Sequence, residues 1–154
     1  MKGEKTIIQQ LNKVLTYELT SINQFFLHAR MFGNWGFNEL NEKAYKKSIK
    51  DMKQADKLIE RILMLEGLPN LQQLDRLRIG ETPVEMLNAD LGFVMDQLPL
   101  LRQAIAECEK LQDYVSRELL EELLEDEEGY IDWLETQHQL IENLGIENYL
   151  QSQI

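Results

Sequence analysis

The sequence has little of what builds disulfide-rich, membrane-spanning or β-sheet proteins. It contains one cysteine, Cys108, which excludes an intrachain disulfide. No apolar stretch is long enough to span a bilayer, and the N-terminal residues carry no signal-peptide pattern. No segment alternates apolar and polar residues as a strand does. We therefore expect a cytosolic, all-α protein in which Cys108 is a buried reduced thiol.

Basic residues are also scarce. Lysine and arginine number 16 against 27 aspartates and glutamates, which gives a formal net charge of -11. Such a chain repels nucleic acid phosphates and favours solubility or the handling of cations. Its 154 residues suit one domain with a sizeable core and are too few for two ordinary ones. We predict a single domain over residues 1–154.

Apolar residues that recur at spacings of three and four predict long amphipathic helices. The first helix should stop near Gly33–Gly36, and the second should begin around Asn38, a plausible N-cap residue. Gly67 and Pro69 are expected to end the second helix. Residues 68–82 have no lasting helical period, so they predict a long connection.

The second half of the chain predicts two more long helices and a short one. Thr82 and Glu85 form a capping box around a proline, which marks the start of the third helix. Pro99 lies inside that helix and should kink it or remove one backbone hydrogen bond. Gly145 is a good C-cap for the fourth helix, and residues 146–154 have room for a brief fifth. This order of helices matches a four-helix bundle with one long crossover. Secreted cytokines are also helical bundles, but they usually have disulfides and a signal sequence, and this sequence shows neither.

The second helix carries two stripes when its residues are placed at about 100° intervals. One stripe should face the bundle interior and consists of Asp51, Gln54, Ala55, Leu58 and Ile62. The other is apolar but points elsewhere, and Leu19 and Phe26 of the first helix extend it; its members are Tyr45, Ile49, Met52 and Ile59. From periodicity alone, this second stripe is either a dimer interface filled by an adaptable methionine or a ligand site.

Several ungapped strings resemble the bacterioferritins, and the resemblance runs nearly end to end. They are INQFFLHARMF from Ile22, RILMLEGLPNL from Arg61, DYVSR from Asp113, IDWLET from Ile131 and NYLQ from Asn148. The resemblance implies a ferritin-like domain in a hollow octahedral shell of 24 subunits that stores a ferric mineral. It also implies haem b between two subunits, with its iron held by Met52 of each. The implied wall residues are Leu19, Ile22, Phe26, Tyr45 and Ile49.

The sequence departs from this family at the iron-oxidation site. Ferritin-like di-iron proteins place a Glu-x-x-His pair on two helices and one further glutamate on each of the others. The six matching positions here hold Glu18, Asp51, Gln54, Val94, Glu127 and Tyr130. Only Glu18 and Glu127 match, and at most three carboxylates face the four positive charges of two ferrous ions. We expect no stable di-iron site; the residual iron-binding set is Glu18, Asp51, Glu127 and Tyr130.

Further residues differ from the family, or match it, at positions that would oxidise, bind or conduct iron. Phe25 stands where the family has an oxidisable tyrosine, and Lys46 and Lys50 replace an iron-binding histidine and aspartate of the inner shell surface. Four polar residues match a channel through the shell, with solvated helix ends and turn contacts as the alternative: Asn34, Glu66, Asp132 and Thr136. Neither His28 nor His138 stands at an iron-binding position, and we interpret His138 as a hydrogen-bonded core histidine.

These features predict an iron-storage subunit with a divided role. Met52 would bind haem, a small ferredoxin would deliver electrons through it to the mineral, and a second, co-assembling subunit type would supply the ferroxidase site. One alternative is slow ferroxidase activity at the residual site. Another is a shell component without haem.

Overall fold

Four long helices and one short one make up the computed structural model, which describes all residues from Met1 to Ile154. Short turns join the first to the second helix and the third to the fourth, and a crossover links the two antiparallel pairs. This is the predicted four-helix bundle, and no helix is both long and apolar enough to cross a membrane. The helices are α1 (Lys5–Asn34), α2 (Asn38–Met64), α3 (Pro83–Lys110), α4 (Tyr114–Leu144) and α5 (Ile146–Gln151).

The ends of α2 differ from the prediction. Asn38 is the first helical residue rather than the N-cap, and no side chain caps this end. The helix ends at Met64, and the left-handed residue that follows is Glu66, with φ of 62°, instead of Gly67. Gly67 is needed for a different reason, because a Cβ there would lie 2.7 Å from a methyl carbon of Ile8. Close packing between α1 and the chain after α2 therefore requires this glycine.

The caps of the later helices follow the sequence more closely. Thr82 accepts the N–H of Glu85 at 3.2 Å, while the Glu85 carboxylate accepts the N–H of Glu81 at 2.9 Å. α3 continues through Pro99 without a break, so the lost backbone hydrogen bond is tolerated. Gly145, with φ of 81°, ends α4 as predicted. Cys108 is a buried free thiol, also as predicted.

The crossover is fastened to α1 through its main chain. Side chains at four-residue intervals on α1 accept backbone N–H groups of the crossover: Thr20 from Asp75 at 2.9 Å, Gln24 from Arg78 at 3.0 Å and His28 from Gly80 at 3.2 Å. Buried polar side chains thus provide hydrogen-bond acceptors for the main chain of an irregular segment.

Two apolar clusters fill the bundle, and a polar layer separates them. One cluster contains Tyr17, Phe25, Phe93 and Tyr130, and the other contains Leu11, Leu15, Leu58 and Leu123. On α1, α2 and α4 the residues between the clusters include three fully buried carboxylates, Glu18, Asp51 and Glu127. Charged groups are rarely buried without partners, so this layer is the first place to look for function.

Candidate functional site

Three carboxylates from three helices meet in the polar layer. Glu18 of α1, Asp51 of α2 and Glu127 of α4 have no exposed surface. One oxygen from each lies within 4.8 Å of the others. Oxygen donors at this spacing are the kind that hard or borderline divalent cations prefer. We call these three residues the carboxylate cluster.

A lysine, which the sequence analysis did not single out, occupies this cluster. Lys47 Nζ donates to Asp51 Oδ1 and to Glu127 Oε1, both at 2.7 Å. The ammonium also lies 5.5 Å from the ring centroid of Phe25 and 5.4 Å from that of Tyr130. Only 6% of Lys47 is exposed. A signal was present in the sequence, because Lys47 precedes Asp51 by four residues and so falls on the same helical stripe.

Hydroxyl groups satisfy the remaining oxygens of two carboxylates. Tyr17 donates to Glu127 Oε2 at 2.7 Å, and Ser21 donates to Asp51 Oδ2. Both oxygens of Asp51 and of Glu127 are therefore hydrogen-bonded. Neither oxygen of Glu18 has a partner, although both are buried.

Burial and neighbouring charges change the acidity of these groups. Burial, reinforced by the charges of Asp51 and Glu127, raises the pKa of Glu18 well above its ordinary value. Burial also raises the pKa of Asp51, to about 6, although the nearby Lys47 opposes the rise. For Lys47 itself, burial disfavours the ammonium, but the charges of Asp51 and Glu127 outweigh burial and raise its pKa. The layer thus holds an ammonium between Asp51 and Glu127, and burial favours the protonated form of Glu18.

The other residues at the six positions do not complete a metal centre. Val94 is a fully buried member of the apolar core. Gln54 donates its amide N–H to Asp126, which turns that end of the side chain toward a different carboxylate. Tyr130 packs its ring edge-on against Phe25 at 5.2 Å, and burial raises its pKa well above 10, which disfavours the phenolate that would bind iron.

The residues present do not fit a di-iron centre. Two of the three carboxylates are already bridged by an ammonium 2.7 Å from each. A metal ion at the cluster would have to displace Lys47 or be repelled by it. Of the predicted residual set, the structure brings Glu18, Asp51 and Glu127 together, and Tyr130 borders Lys47 through its ring.

Met52 lies in an apolar groove on the outer face of α2. Its side chain is 54% exposed and helps to line a cavity of about 420 Å³. The apolar lining also includes Leu19 and Ile22 of α1, Ala55 and Ile59 of α2, and Leu71 and Leu74 of the crossover. The two crossover leucines were not predicted, because no helical period placed them. We call this surface the Met52 groove.

The remaining predicted wall residues lie outside the Met52 groove. Tyr45 and Ile49 line a separate cavity of about 500 Å³, together with Glu42, Lys46, Lys50 and Lys53. Phe26 packs against Tyr45 with ring centroids 6.4 Å apart. The guanidinium of Arg30 lies over both rings, 5.3 and 5.0 Å from their centroids. The second stripe of α2 is therefore divided between two apolar patches, the Met52 groove and the cavity beside Tyr45, and the second of these has a basic edge.

Comparison with known proteins identifies the family. Residues 8–144 match the family model described as "Ferritin-like domain". Bacterioferritin from Brucella melitensis is 47% identical over 149 residues, which cover 97% of this chain and 92% of the relative. Bacterioferritins from Mycobacterium tuberculosis and Rhodobacter capsulatus are each 46% identical over the same length, covering 94% and 92% of those relatives. The chain belongs to the bacterioferritin family. It is therefore an iron-storage protein, and the ferritin fold implies a shell of several subunits with iron as its cargo.

The two lysines predicted to lie on the inner surface of the shell both form ion pairs. Lys46 pairs with Glu42 at 2.7 Å, and Lys50 pairs with Asp126 at 2.9 Å. The repulsion of iron that was expected of them would therefore be partly offset by neighbouring carboxylates, which could not be seen in the sequence.

The four predicted channel residues do not form one site within the chain. Asn34 lies at the end of α1, whereas Glu66 lies beyond the end of α2, at the opposite end of the bundle. Asp132 and Thr136 are exposed on α4. Any channel lined by all four would therefore need residues from several bacterioferritin subunits, and it stays a prediction.

The two histidines have different surroundings. His28 is fully buried: its Nε2 accepts the N–H of Gly80, so Nδ1 carries the proton and donates to Asp90 at 2.8 Å. The prediction for His138 is wrong, because its side chain is only half-buried and its Nε2 has no partner. Gln137 takes the buried position instead and accepts the hydroxyl of Tyr149 at 2.7 Å.

Proposed function

We propose that this chain is the haem-carrying subunit of an iron store. In this proposal Met52 binds haem b at a subunit interface, electrons pass to the ferric mineral for iron release, and a co-assembling bacterioferritin subunit supplies the ferroxidase site. The shell would contain 24 subunits, each a single ferritin-like domain over residues 1–154. A small ferredoxin is the proposed electron donor.

The exposed thioether of Met52 is the observation that carries this proposal. Methionine side chains are usually buried in the core of a protein. The side chain of Met52 is instead 54% exposed within an apolar groove. A thioether is an established ligand of haem iron. An exposed apolar surface of this kind is typical of an interface or a ligand site, and haem between two subunits would make it both.

The surrounding side chains suit a porphyrin. Leu19, Ile22 and the crossover leucines would exclude water from one side of Met52, and Tyr45 with Phe26 would do so on the other. Lys46, Lys50 and Lys53 edge the Tyr45 side and would pair with the porphyrin carboxylates. Bound haem supplies one-electron transfer, for which two thioether ligands favour the reduced iron.

The haem arm of the proposal is tested by exchanging Met52. Met52→Leu should lose the haem absorption bands while the shell still assembles, and Met52→His should keep haem with a changed spectrum. Met95→Leu removes a similarly exposed methionine on α3, 47% exposed, and should leave the spectrum unchanged. Haem retained in full by Met52→Leu would contradict the assignment.

The ferroxidase arm is tested by stopped-flow oxidation of ferrous iron by shells made only of this chain. We expect no fast, saturable phase, because Lys47 occupies the cluster and two histidine ligands are replaced. Turnover comparable to that of a bacterioferritin with all six ligands would overturn this part of the proposal.

A second candidate function is slow ferroxidase activity at an altered iron site. The convergence of Glu18, Asp51 and Glu127 within 4.8 Å favours it, because three carboxylates are the oxygen donors that a single iron would use. In that case Glu18→Gln combined with Glu127→Gln should abolish any slow oxidation that the wild-type shell performs.

A further inference from the structure

The ammonium of Lys47 is held as a metal ion would be held. Two carboxylate oxygens from different helices lie 2.7 Å from Nζ, and two aromatic rings border the nitrogen at about 5.5 Å. A buried lysine needs such partners, since desolvation of its charge is otherwise costly. This lysine thus supplies from within the chain the positive charge that the carboxylates require.

The carboxylates are also fixed in position from outside the cluster. Tyr17 donates to the second oxygen of Glu127, and Ser21 donates to the second oxygen of Asp51. The first oxygens are therefore directed inward, toward Lys47. Such outer hydrogen bonds orient the ligands of metal sites in the same manner.

Glu18 provides an independent observation. It is fully buried, and neither of its oxygens has a hydrogen-bond partner, although one lies within 4.8 Å of oxygens of Asp51 and Glu127. Buried polar groups without partners are uncommon in folded proteins. Lys47 bonds to only two of the three carboxylates. The carboxyl group of Glu18 is therefore a third oxygen ligand that remains unused.

We propose that Glu18, Asp51 and Glu127 form a latent site for one divalent cation, and that Lys47 is the internal counter-ion that closes it. The chemical class is a divalent ion that accepts carboxylate oxygens, such as Mn²⁺, Co²⁺ or Zn²⁺. This inference deepens the proposed loss of ferroxidase function and names the residue that enforces it. It does not depend on haem.

The physical basis is competition for the same oxygens. A divalent ion within bonding distance of Asp51 and Glu127 would lie next to the ammonium, and like charges repel strongly where water is excluded. Lys47 is attached to α2 and cannot diffuse away, so it competes with the ion for these oxygens and weakens metal binding. Removing its charge should open the site.

The test uses Lys47→Met, which keeps most of the side chain and loses the charge. Shells are titrated with Co²⁺ alone, and binding is followed by calorimetry and by the visible absorption of the bound ion. We expect Lys47→Met to gain one Co²⁺ per chain with a Kd at least tenfold lower than any wild-type binding at this stoichiometry. Lys57→Met is the matched control, since its ammonium is exposed and pairs only with Glu122; it should bind as the wild type does.

Further variants locate the gained ion and guard against a folding failure. Adding Glu18→Gln and Glu127→Gln to Lys47→Met should remove the gained Co²⁺. Lys47→Gln is a second neutral variant, which retains hydrogen-bonding groups for the carboxylates and should also gain the ion. Lys47→Arg keeps the charge and should not. Circular dichroism identifies folded variants, and Zn²⁺ should raise the melting temperature of the neutral variants only.

Two results would overturn the inference. One is equal Co²⁺ affinity of wild-type and folded neutral variants, and the other is a gained ion that survives the loss of Glu18 and Glu127. Neither result touches the haem spectrum or the iron oxidation rate of the wild-type shell. The inference and the proposed function therefore fail separately.

Discussion

Glu18 differs from its two neighbours in the carboxylate cluster in having no hydrogen-bond donor. Asp51 and Glu127 each accept bonds from Lys47 and from a hydroxyl group, and these bonds compensate for lost hydration. For Glu18, only the charge of Lys47 favours the ionised form, and burial with the charges of Asp51 and Glu127 outweighs it. It therefore keeps its proton in the folded chain at pH values where the unfolded chain releases it.

This difference predicts how stability depends on pH. The pKa of Glu18 is raised in the folded state, so that state binds more protons, and the free energy of unfolding falls as pH rises above the ordinary value of 4.5. Glu18→Gln is neutral at every pH and should remove this loss. We expect the melting temperature of the variant to exceed that of the wild type increasingly from pH 4.5 to 8. Each kcal/mol gained corresponds to about 2–4 °C in a chain of this size.

An exposed glutamate provides the control. Glu60→Gln on α2 removes a carboxylate that faces solvent, so its melting temperature should follow the wild type at every pH. If Glu18→Gln is less stable than the wild type at pH 8 by as much as at pH 4.5, Glu18 is not protonated in the fold.

At the scale of elements, α1 organises the rest of the molecule. One of its faces supplies Glu18 to the polar layer, and the residues on an adjacent face hold the crossover through Thr20, Gln24 and His28. Asp90 of α3 joins the same network by accepting from Gln24 at 2.9 Å and from His28. Because the network is buried, removing one member leaves other groups without partners.

Gln24→Leu should loosen the crossover. The change leaves the N–H of Arg78 without an acceptor and takes a donor from Asp90, which costs about 2–3 kcal/mol. We expect faster hydrogen exchange of the amides from Asp75 to Gly80, by tenfold or more, measured by mass spectrometry. Gln103→Leu replaces an exposed glutamine of α3 and should leave that exchange unchanged. Unaltered protection in Gln24→Leu would show that other contacts hold the crossover.

A feature of the fold or of the site could be predicted from the sequence when it depends only on residues that are close together in the chain. Helix periodicity placed Asp51 on the interior face because that geometry involves only neighbouring residues. Lys47 lies on the same face but was missed, since its second partner, Glu127, is 80 residues away. The hydrogen bonds between the crossover and α1 could not be predicted either. They are donated by backbone N–H groups, which the sequence does not distinguish from one another. Glu66 has the left-handed conformation expected of a glycine, and nothing in the sequence marks that position.

For the whole molecule, the main feature is the unequal distribution of apolar surface. The chain carries a net charge of -11, yet Met52, Leu71 and Leu74 are each more than half exposed on one face. A shell of several subunits has to cover such a face. The Met52 groove is therefore the surface where we expect two subunits to meet.

Placing a charge in this groove should impair assembly. Leu74→Glu would bury a carboxylate without a partner when two subunits meet, at a cost of several kcal/mol for each subunit pair. We expect the fraction of intact shells, measured by analytical ultracentrifugation, to fall at least tenfold while the subunit keeps its helical circular dichroism. Leu74→Met keeps the surface apolar and should assemble normally. Normal shells from Leu74→Glu would mean that the groove does not face another subunit.

The way the crossover is bound to α1 has a consequence for its outer surface. The amides of Asn70, Asp75, Arg78 and Gly80 are bonded to α1, while the side chains of Leu71, Leu74 and Ile79 are exposed. The side chains at these three positions take no part in the anchoring. Substitutions there would therefore change the chemistry of the outer surface while the crossover keeps its path along α1.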